Sequence, residues 1–298
     1  MSRQRSTAFV PGHVTAFFSA HPAERPAAAG SRGAGVTLTD GVTVRVSASG
    51  DGDASDGPAG SRTIDGKSGT IGAVEDVLAE LGVSGNDDRP PVDVAVETDL
   101  PIGAGFGVSG AAALGAAFAA NDAFDRGRSE NDLVRLAHEA EVGRGTGLGD
   151  VVAQARGGVP IRLEPGAPGV GALDGVPATA RVEYVTFGEL STEDVLSGDT
   201  TALSAAGEDA LDQLRADPCL PTMMDAARGF AREADLLVPE VAEAIAAVGD
   251  SLTTPDDYGA AMAMLGRTVF ALGTGLSDAG YDPEVCRIDA AGARLVER

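Results

Sequence analysis

Apolar and polar residues alternate early in the chain: Val36, Leu38, Val42, Val44 and Val46 flank Asp40-Gly41. A period of two predicts strands, and an Asp-Gly pair between two alternating runs predicts a hairpin turn. Residues 49–60 are Gly, Asp, Ser, Ala and Pro and predict a loop. The spacing then predicts a helix over 70–81 that stops at Gly82. Residues 91–98 predict a strand with Val92, Val94 and Val96 on one face. A glycine-rich stretch follows, then an alanine-rich helix over 109–124 and a second helix over 130–142. Residues 144–150 form a glycine-rich turn from which Asp150 opens another helix, and 159–163 predict a strand. A Pro- and Gly-rich loop over 165–177 is expected to join two lobes. The C-terminal half predicts strand, helix, helix, strand, helix, strand. Helices and strands without regular βα alternation place the chain in the α+β class.

Composition narrows the classes. No stretch approaches eighteen consecutive apolar residues, so no transmembrane helix is expected. The opening residues MSRQRSTAFVPGH lack the apolar core of a signal peptide, and Cys219 and Cys286 are the only cysteines. Both observations point to a reducing, cytoplasmic setting. The chain carries 45 Asp and Glu against 22 Lys and Arg, a net charge of -23, and Lys67 is its one lysine. Such self-repulsion destabilises a compact state in dilute buffer and is screened at molar salt, where the Debye length falls to about 3 Å. The acids are scattered rather than grouped, which suits a salty cytoplasm better than mimicry of a polyanion. With no basic patch, nucleic-acid binding is not expected.

The chemistry centres on PIGAGFGVSGAAALG, residues 101–115. Gly103, Gly105 and Gly107 leave backbone amides open to an anion, and Ser109 falls where the next helix begins. Strand, glycine loop and helix in that order predict a phosphate site. The run from Gly105 to Gly110 also matches G-x-G-x-x-G. The residues after the helix are polar and lead into another helix, not into the second strand and acid of a dinucleotide fold. A structural turn with close helix packing is the bland alternative. Asp65-Gly66-Lys67-Ser68 resembles the end of a Walker loop, but Ser61 stands where its first glycine belongs.

The pattern P-x-G-x-G-x-G-x-S-G-A resembles the phosphate loop of the GHMP kinase superfamily, with Phe106, Val108 and Gly110 departing from its usual form. Phe9 to Val14 (FVPGHV) and Thr146 to Val151 (TGLGDV) resemble two further motifs of that superfamily. Within it, the phrases PGHVTAFF, AAGSRGAGV, AEVGRGTGLGDVVAQARGG and MAMLGRTVFALG are similar to those of the archaeal pantoate kinases. The resemblance implies a two-lobe GHMP fold, an N-terminal lobe over 1–160 and a ferredoxin-like lobe over 161–298. It implies ATP, Mg²⁺ and pantoate as partners and phosphorylation of the pantoate 4-hydroxyl, with a haloarchaeal source to match the charge. Another small alcohol, homoserine, shikimate or an isoprenoid alcohol, is the rival acceptor, and a silent nucleotide-binding protein on the same fold is the rival class. A homodimer is one expectation for the assembly.

Residue by residue, the resemblance assigns ATP phosphates to the stretch comprising Pro101, Gly103, Ala104, Gly105, Phe106, Gly107, Val108, Ser109, Gly110 and Ala111. Ser109 would hold Mg²⁺ together with Glu141 or Glu139, which point in different directions two residues apart on one helix. Asp150 is expected as the general base, or simply as a cap on the helix it opens. A carboxylate acceptor needs cationic or donor groups; the candidates are His13, His21, Ser31, Arg32 and Arg144, with the two arginines leading because a guanidinium pairs a carboxylate at two points.

Overall fold

In a computed structural model of the chain, residues 5–49, 60–83, 91–188, 200–251, 258–264 and 267–296 are described below. Strands β1 (Arg5–His21) and β2 (Gly30–Ala48) form a long antiparallel ribbon, paired from Arg5↔Ser47 to His21↔Gly30. The short strands β3 (Arg62–Ile64) and β4 (Lys67–Ser68) precede helix α1 (Gly72–Glu80) and strand β5 (Val92–Thr98). Helices α2 (Val108–Ala123), α3 (Glu130–Arg144) and α4 (Asp150–Arg156) lead to β6 (Val159–Glu164) and β7 (Ala172–Val176). The first sheet runs β12-β1-β2-β5-β3-β4, with β6 paired to the far end of β2 and β7 to β6. β12 (Arg294–Leu295) comes from the end of the chain and pairs beside Ala8 and Phe9.

The expected hairpin at Asp40-Gly41 does not form. β2 continues through it, and the register steps from Gly12↔Leu38 to Pro11↔Gly41, which leaves Thr39 and Asp40 as a bulge. The reason is competition: β1 is long enough to pair with both alternating runs, so neither folds back on the other. Gly41 matters for closeness instead, since a Cβ there would strike the Val10 carbonyl. The decoy at Lys67 is a tight turn, with Asp65 and Gly66 both at positive φ and Lys67 exposed.

α2 is buried almost from end to end, and its alanines let it lie close against the ribbon. At Gly115 an added Cβ would come 2.6 Å from Val44 Cγ2, so the approach needs a glycine. Val10, Val14, Val36, Val44, Leu114 and Ala117 join this core.

The second sheet has the order β11-β8-β10-β9, all antiparallel, from β8 (Arg181–Thr186), β9 (Ala260–Ala263), β10 (Thr268–Leu272) and β11 (Glu284–Arg287). Helices α5 (Thr201–Ala216), α6 (Leu220–Glu233) and α7 (Pro239–Ser251) lie between β8 and β9, and α8 (Gly275–Asp278) between β10 and β11. Strand, helices, two strands, helix, strand in that spatial order is the ferredoxin-like arrangement. The lobe boundary expected at residue 160 falls inside β6. The loop expected over 165–177 contains β7, and both strands stay in the first sheet. The second sheet begins only at Arg181, because β6 pairs with the stretch of β2 that β5 leaves open and β7 pairs with β6.

Candidate active site

A cavity of about 330 Å³ opens between the glycine loop, the turn before α4 and the ends of β1 and β2. Its loop wall follows from a two-residue rhythm. Ala104, Phe106 and Val108 are buried, while Gly103, Gly105 and Gly107 have φ of 81°, 91° and 65°; the three glycines line the cavity together with Phe106 and Val108. The Phe106 ring packs on Tyr184 of β8, with centroids 4.8 Å apart, and Thr268 Oγ1 donates to the Ala104 carbonyl at 3.0 Å. The loop is thus tied to the second lobe on one side and left bare on the other. At its end Gln154 Nε2 donates to the Gly107 carbonyl at 2.9 Å, and a Cβ on Gly107 would meet that same nitrogen at 2.9 Å. Pro101, Ala104, Gly110 and Ala111 do not line the cavity.

Ser109, in the first turn of α2, donates from Oγ to Glu141 Oε1 of α3 at 2.6 Å. Burial pushes the Glu141 carboxyl above the usual carboxylate range, against the hydrogen bonds from Ser109 and Thr146. A half-buried hydroxyl and a buried carboxylate facing one cavity are hard oxygen donors of the kind Mg²⁺ takes. Glu139 is part-exposed and does not line the cavity, so of the two acids only Glu141 is placed to serve there. No group of three His, Cys, Asp or Glu that could hold a metal occurs among the described residues. That leaves this two-oxygen set, which suits an ion completed by phosphates and water.

The opposite wall is made of side chains. His13 Nδ1 donates to Asp150 Oδ1 at 2.7 Å. Burial lowers the His13 pKa, and its Nε2 is buried with no partner among the described residues. Both favour the neutral ring protonated on Nδ1, since an imidazolium would carry an unmet Nε2–H. Burial pushes the Asp150 carboxyl up, but the His13 hydrogen bond and the nearby charge of Arg162 outweigh it and hold the group below its ordinary value. Arg162 sits on β6 and is 2% exposed. Its Nε donates to Ser31 Oγ at 3.2 Å, while its Nη1 is buried without a partner among the described residues. Gly149 allows this crowding, because a Cβ there would lie 2.5 Å from Ser31 Oγ and 2.7 Å from Arg162 Nε.

Of the five residues expected around the acceptor, the structure puts Ser31 on this wall and His13 behind it, buried against Asp150. The other three lie elsewhere. Arg144 is exposed and pairs with Asp76 at two points, 2.5 and 2.7 Å. Arg32 donates to the Leu163 carbonyl and to Glu208, and His21 also turns to Glu208. Strand alternation explains it: Ser31 and Arg32 are neighbours, so they face opposite sides of β2. Arg162 was not anticipated, although an arginine inside the apolar strand of residues 159–163 is a signal, since a buried charge demands a partner. Thr15, Phe18 and Met264 also line the cavity. Of the phrase MAMLGRTVFALG, residues 262–273, Leu265 and Gly266 lie outside the described residues.

Comparison with known proteins identifies the family. Residues 69–158 match the GHMP kinase N-terminal domain. A pantoate kinase of Thermococcus kodakarensis is 37% identical over 283 residues, covering 89% of this chain and 86% of that protein. The chain belongs to the pantoate kinase family. A pantoate kinase of Methanocaldococcus jannaschii is 32% identical over 267 residues, covering 89% of this chain and 91% of that one. Among solved structures, one described as a phosphotransferase related to the CoA biosynthesis pathway superposes with a TM-score of 0.83 at 32% identity, over 98% of each chain. The chain has the GHMP kinase fold, and no described helix is long and apolar enough to cross a membrane.

Proposed function

We propose that this chain transfers the γ-phosphoryl group of ATP to the 4-hydroxyl of pantoate, giving 4-phosphopantoate for coenzyme A synthesis. One observation carries the reading: a single cavity joins a bare backbone loop suited to phosphate with a wall bearing an ionised carboxylate and a buried, incompletely paired arginine. In the reaction the 4-oxygen bonds to the γ-phosphorus as the bond to the β–γ bridging oxygen breaks, and ADP leaves. Asp150 has Oδ1 engaged by His13 and Oδ2 left to orient the hydroxyl and accept its proton. A carboxylate held at low pKa is a weak base, which suits a loose phosphoryl transition state in which positioning counts for more than early deprotonation. Amides of residues 103–107 would hold the phosphates. Ser109 and Glu141 would hold Mg²⁺, whose contribution when bound is to offset phosphate charge. Arg162 and Ser31 would take the pantoate carboxylate, in place of Arg32 and Arg144.

The test is ³¹P NMR of product mixtures from ATP with pantoate, pantothenate, homoserine, shikimate and mevalonate, in molar KCl. Pantoate should be the fastest acceptor. Pantothenate moves its carboxylate away along the β-alanine arm and homoserine adds an ammonium, so each would leave buried donors unpaired. Faster turnover of either would overturn the assignment.

We also infer a haloarchaeal type of enzyme working in a salty cytoplasm, supported by the net charge of -23 and the single lysine. The melting temperature should climb steeply between about 0.1 and about 2 M KCl as screening shortens the Debye length. A flat curve would remove this inference and leave the catalytic one untouched.

A further inference from the structure

His21 and Arg32 stand out in the sequence, yet neither lines the cavity. They converge with Ser19 on one carboxylate, Glu208, carried by α5 of the second lobe. Ser19 is fully buried and its Oγ donates to Glu208 Oε1 at 2.5 Å. His21 Nε2 lies 3.0 Å from the same oxygen and 2.9 Å from Ser19 Oγ. Arg32 Nη1 donates to Glu208 Oε2, and Arg32 Nε donates to the Leu163 carbonyl at 2.7 Å. One turn earlier on α5, Ser204 Oγ accepts from the Ala20 amide at 3.1 Å. Between them Gly207 brings the helix backbone directly against the Phe18 carbonyl, where a Cβ could not fit.

The register makes this cluster the reverse side of the acceptor wall. Ser19 pairs with Arg32, Ala20 with Ser31 and Phe18 with Gly33. Alternation therefore turns Ser19, His21 and Arg32 toward α5, and Phe18 and Ser31 toward the cavity. Arg32 binds three elements at once: its own β2, α5 through Glu208, and β6 through Leu163, the residue next to Arg162. Burial pushes the Glu208 carboxyl up, but the hydrogen bonds from Ser19 and His21 and the charge of Arg32 outweigh it and hold the carboxyl below its ordinary range, as expected of a carboxylate with several donors.

We propose that Glu208, Arg32, Ser19 and His21 form a clasp between the lobes that fixes Phe18, Ser31 and Arg162 at the spacing of a small hydroxy acid, so that they set acceptor affinity without touching the acceptor. The clasp rests on the assignment of this wall to the acceptor. Its members are positioning residues, and the nucleotide side of the cavity stands apart from them.

The experiment is steady-state kinetics of Glu208→Gln, Arg32→Ala and the double variant, with amide hydrogen exchange on wild type and Glu208→Gln. Each single change should raise the pantoate KM about tenfold, the scale of a lost charge-assisted hydrogen bond, with the ATP KM within about twofold. The double variant should be no worse than the weaker single one, because both remove the same link. Arg32→Lys, which keeps the charge but makes only one of the two bonds, should recover part of the loss. In Glu208→Gln, amides of residues 16–20 and 31–34 should exchange faster while those of α2 stay protected. If Glu208→Gln leaves the pantoate KM unchanged while Arg32→Ala raises it, Arg32 contacts the acceptor itself and the clasp is wrong. A parallel rise of both KM values, or unchanged exchange at residues 16–20, also overturns it. Should Glu208→Gln not fold, Ser19→Ala removes one strand of the clasp and must show the same split. A wild type inactive on pantoate defeats the functional reading alone, and the exchange pattern still decides the clasp.

Discussion

The loop wall of the cavity, Gly103 to Ser109, is one unbroken stretch of backbone. The facing wall gathers Ser31 from β2, Asp150 from α4 and Arg162 from β6, with His13 of β1 buried behind Asp150, residues up to 149 positions apart. The first wall needs only that Cβ atoms be missing and that side chains alternate into the core. The second needs four elements at the right register, a buried histidine in its neutral form and a glycine at 149 to make room. On the proposed function, the loop wall takes the nucleotide phosphates and the assembled wall tells the acceptor from its analogues. Substitutions should separate the two.

The largest separation is expected from Asp150→Asn. It keeps the size and an acceptor for His13 Nδ1, so the wall stays assembled while the ionised oxygen is lost. Turnover should fall by about 10²-fold or more, within the range of a general base, with the ATP KM unchanged. Near-native turnover would reduce Asp150 to the residue that opens α4, and the two walls would no longer differ in chemistry.

Next comes the anchor. Arg162→Ala should raise the pantoate KM by roughly 10- to 100-fold, the equivalent of losing a buried charge-assisted hydrogen bond. Arg144→Ala removes an exposed pair with Asp76 and should change it by no more than about twofold. Steady-state kinetics with both variants checks the contrast. Equal effects would mean that the carboxylate is held outside the cavity.

The contrast also explains what could be read from the chain. The glycine loop, the helix after it and the helix opened by Asp150 are local: each follows from residues adjacent in sequence, and each is found where its pattern predicts. The hairpin at Asp40-Gly41 failed because the alternation of Val36 to Val46 says that a strand exists but not which strand it pairs with, and β1 supplied a longer partner. Glu141 and Glu139 are both offered beside Ser109, and which of them reaches the cavity depends on which side of α3 meets α2. The arginines were misplaced for a related reason. Arg32 and Ser31 are neighbours in a strand, so a motif containing both cannot say which one faces the cavity. Arg162 lies outside every motif, and its role depends on β6 joining the far end of β2, a long-range pairing that local pattern does not encode.

The smallest expected effect is a difference in how the two walls respond to protons. Burial holds the His13 pKa below its ordinary value. Its folded pKa lies under the unfolded one of about 6.5, so the unfolded chain takes up the proton first as pH falls. The stability tied to neutral His13 is therefore fully present above that pH and is lost on acidification toward the folded pKa, at no more than about 1.4 kcal/mol per pH unit for one proton. Asp150 adds a loss of the same sign, but only in more acidic solution, because its ordinary pKa is already low. On the loop wall the sign reverses. Burial raises the Glu141 pKa, so its contribution is complete below the unfolded value and is lost as pH rises through the folded one. Melting temperatures from pH 7 to pH 5 in molar KCl should thus fall less in His13→Asn than in wild type, and more in Glu141→Gln. Asn at position 13 can still donate to Asp150 while carrying no titratable group, which isolates the proton from the hydrogen bond. Identical slopes for wild type and His13→Asn would mean that His13 is not the neutral partner of Asp150, and the assembled wall would then hold an ion pair rather than a neutral donor.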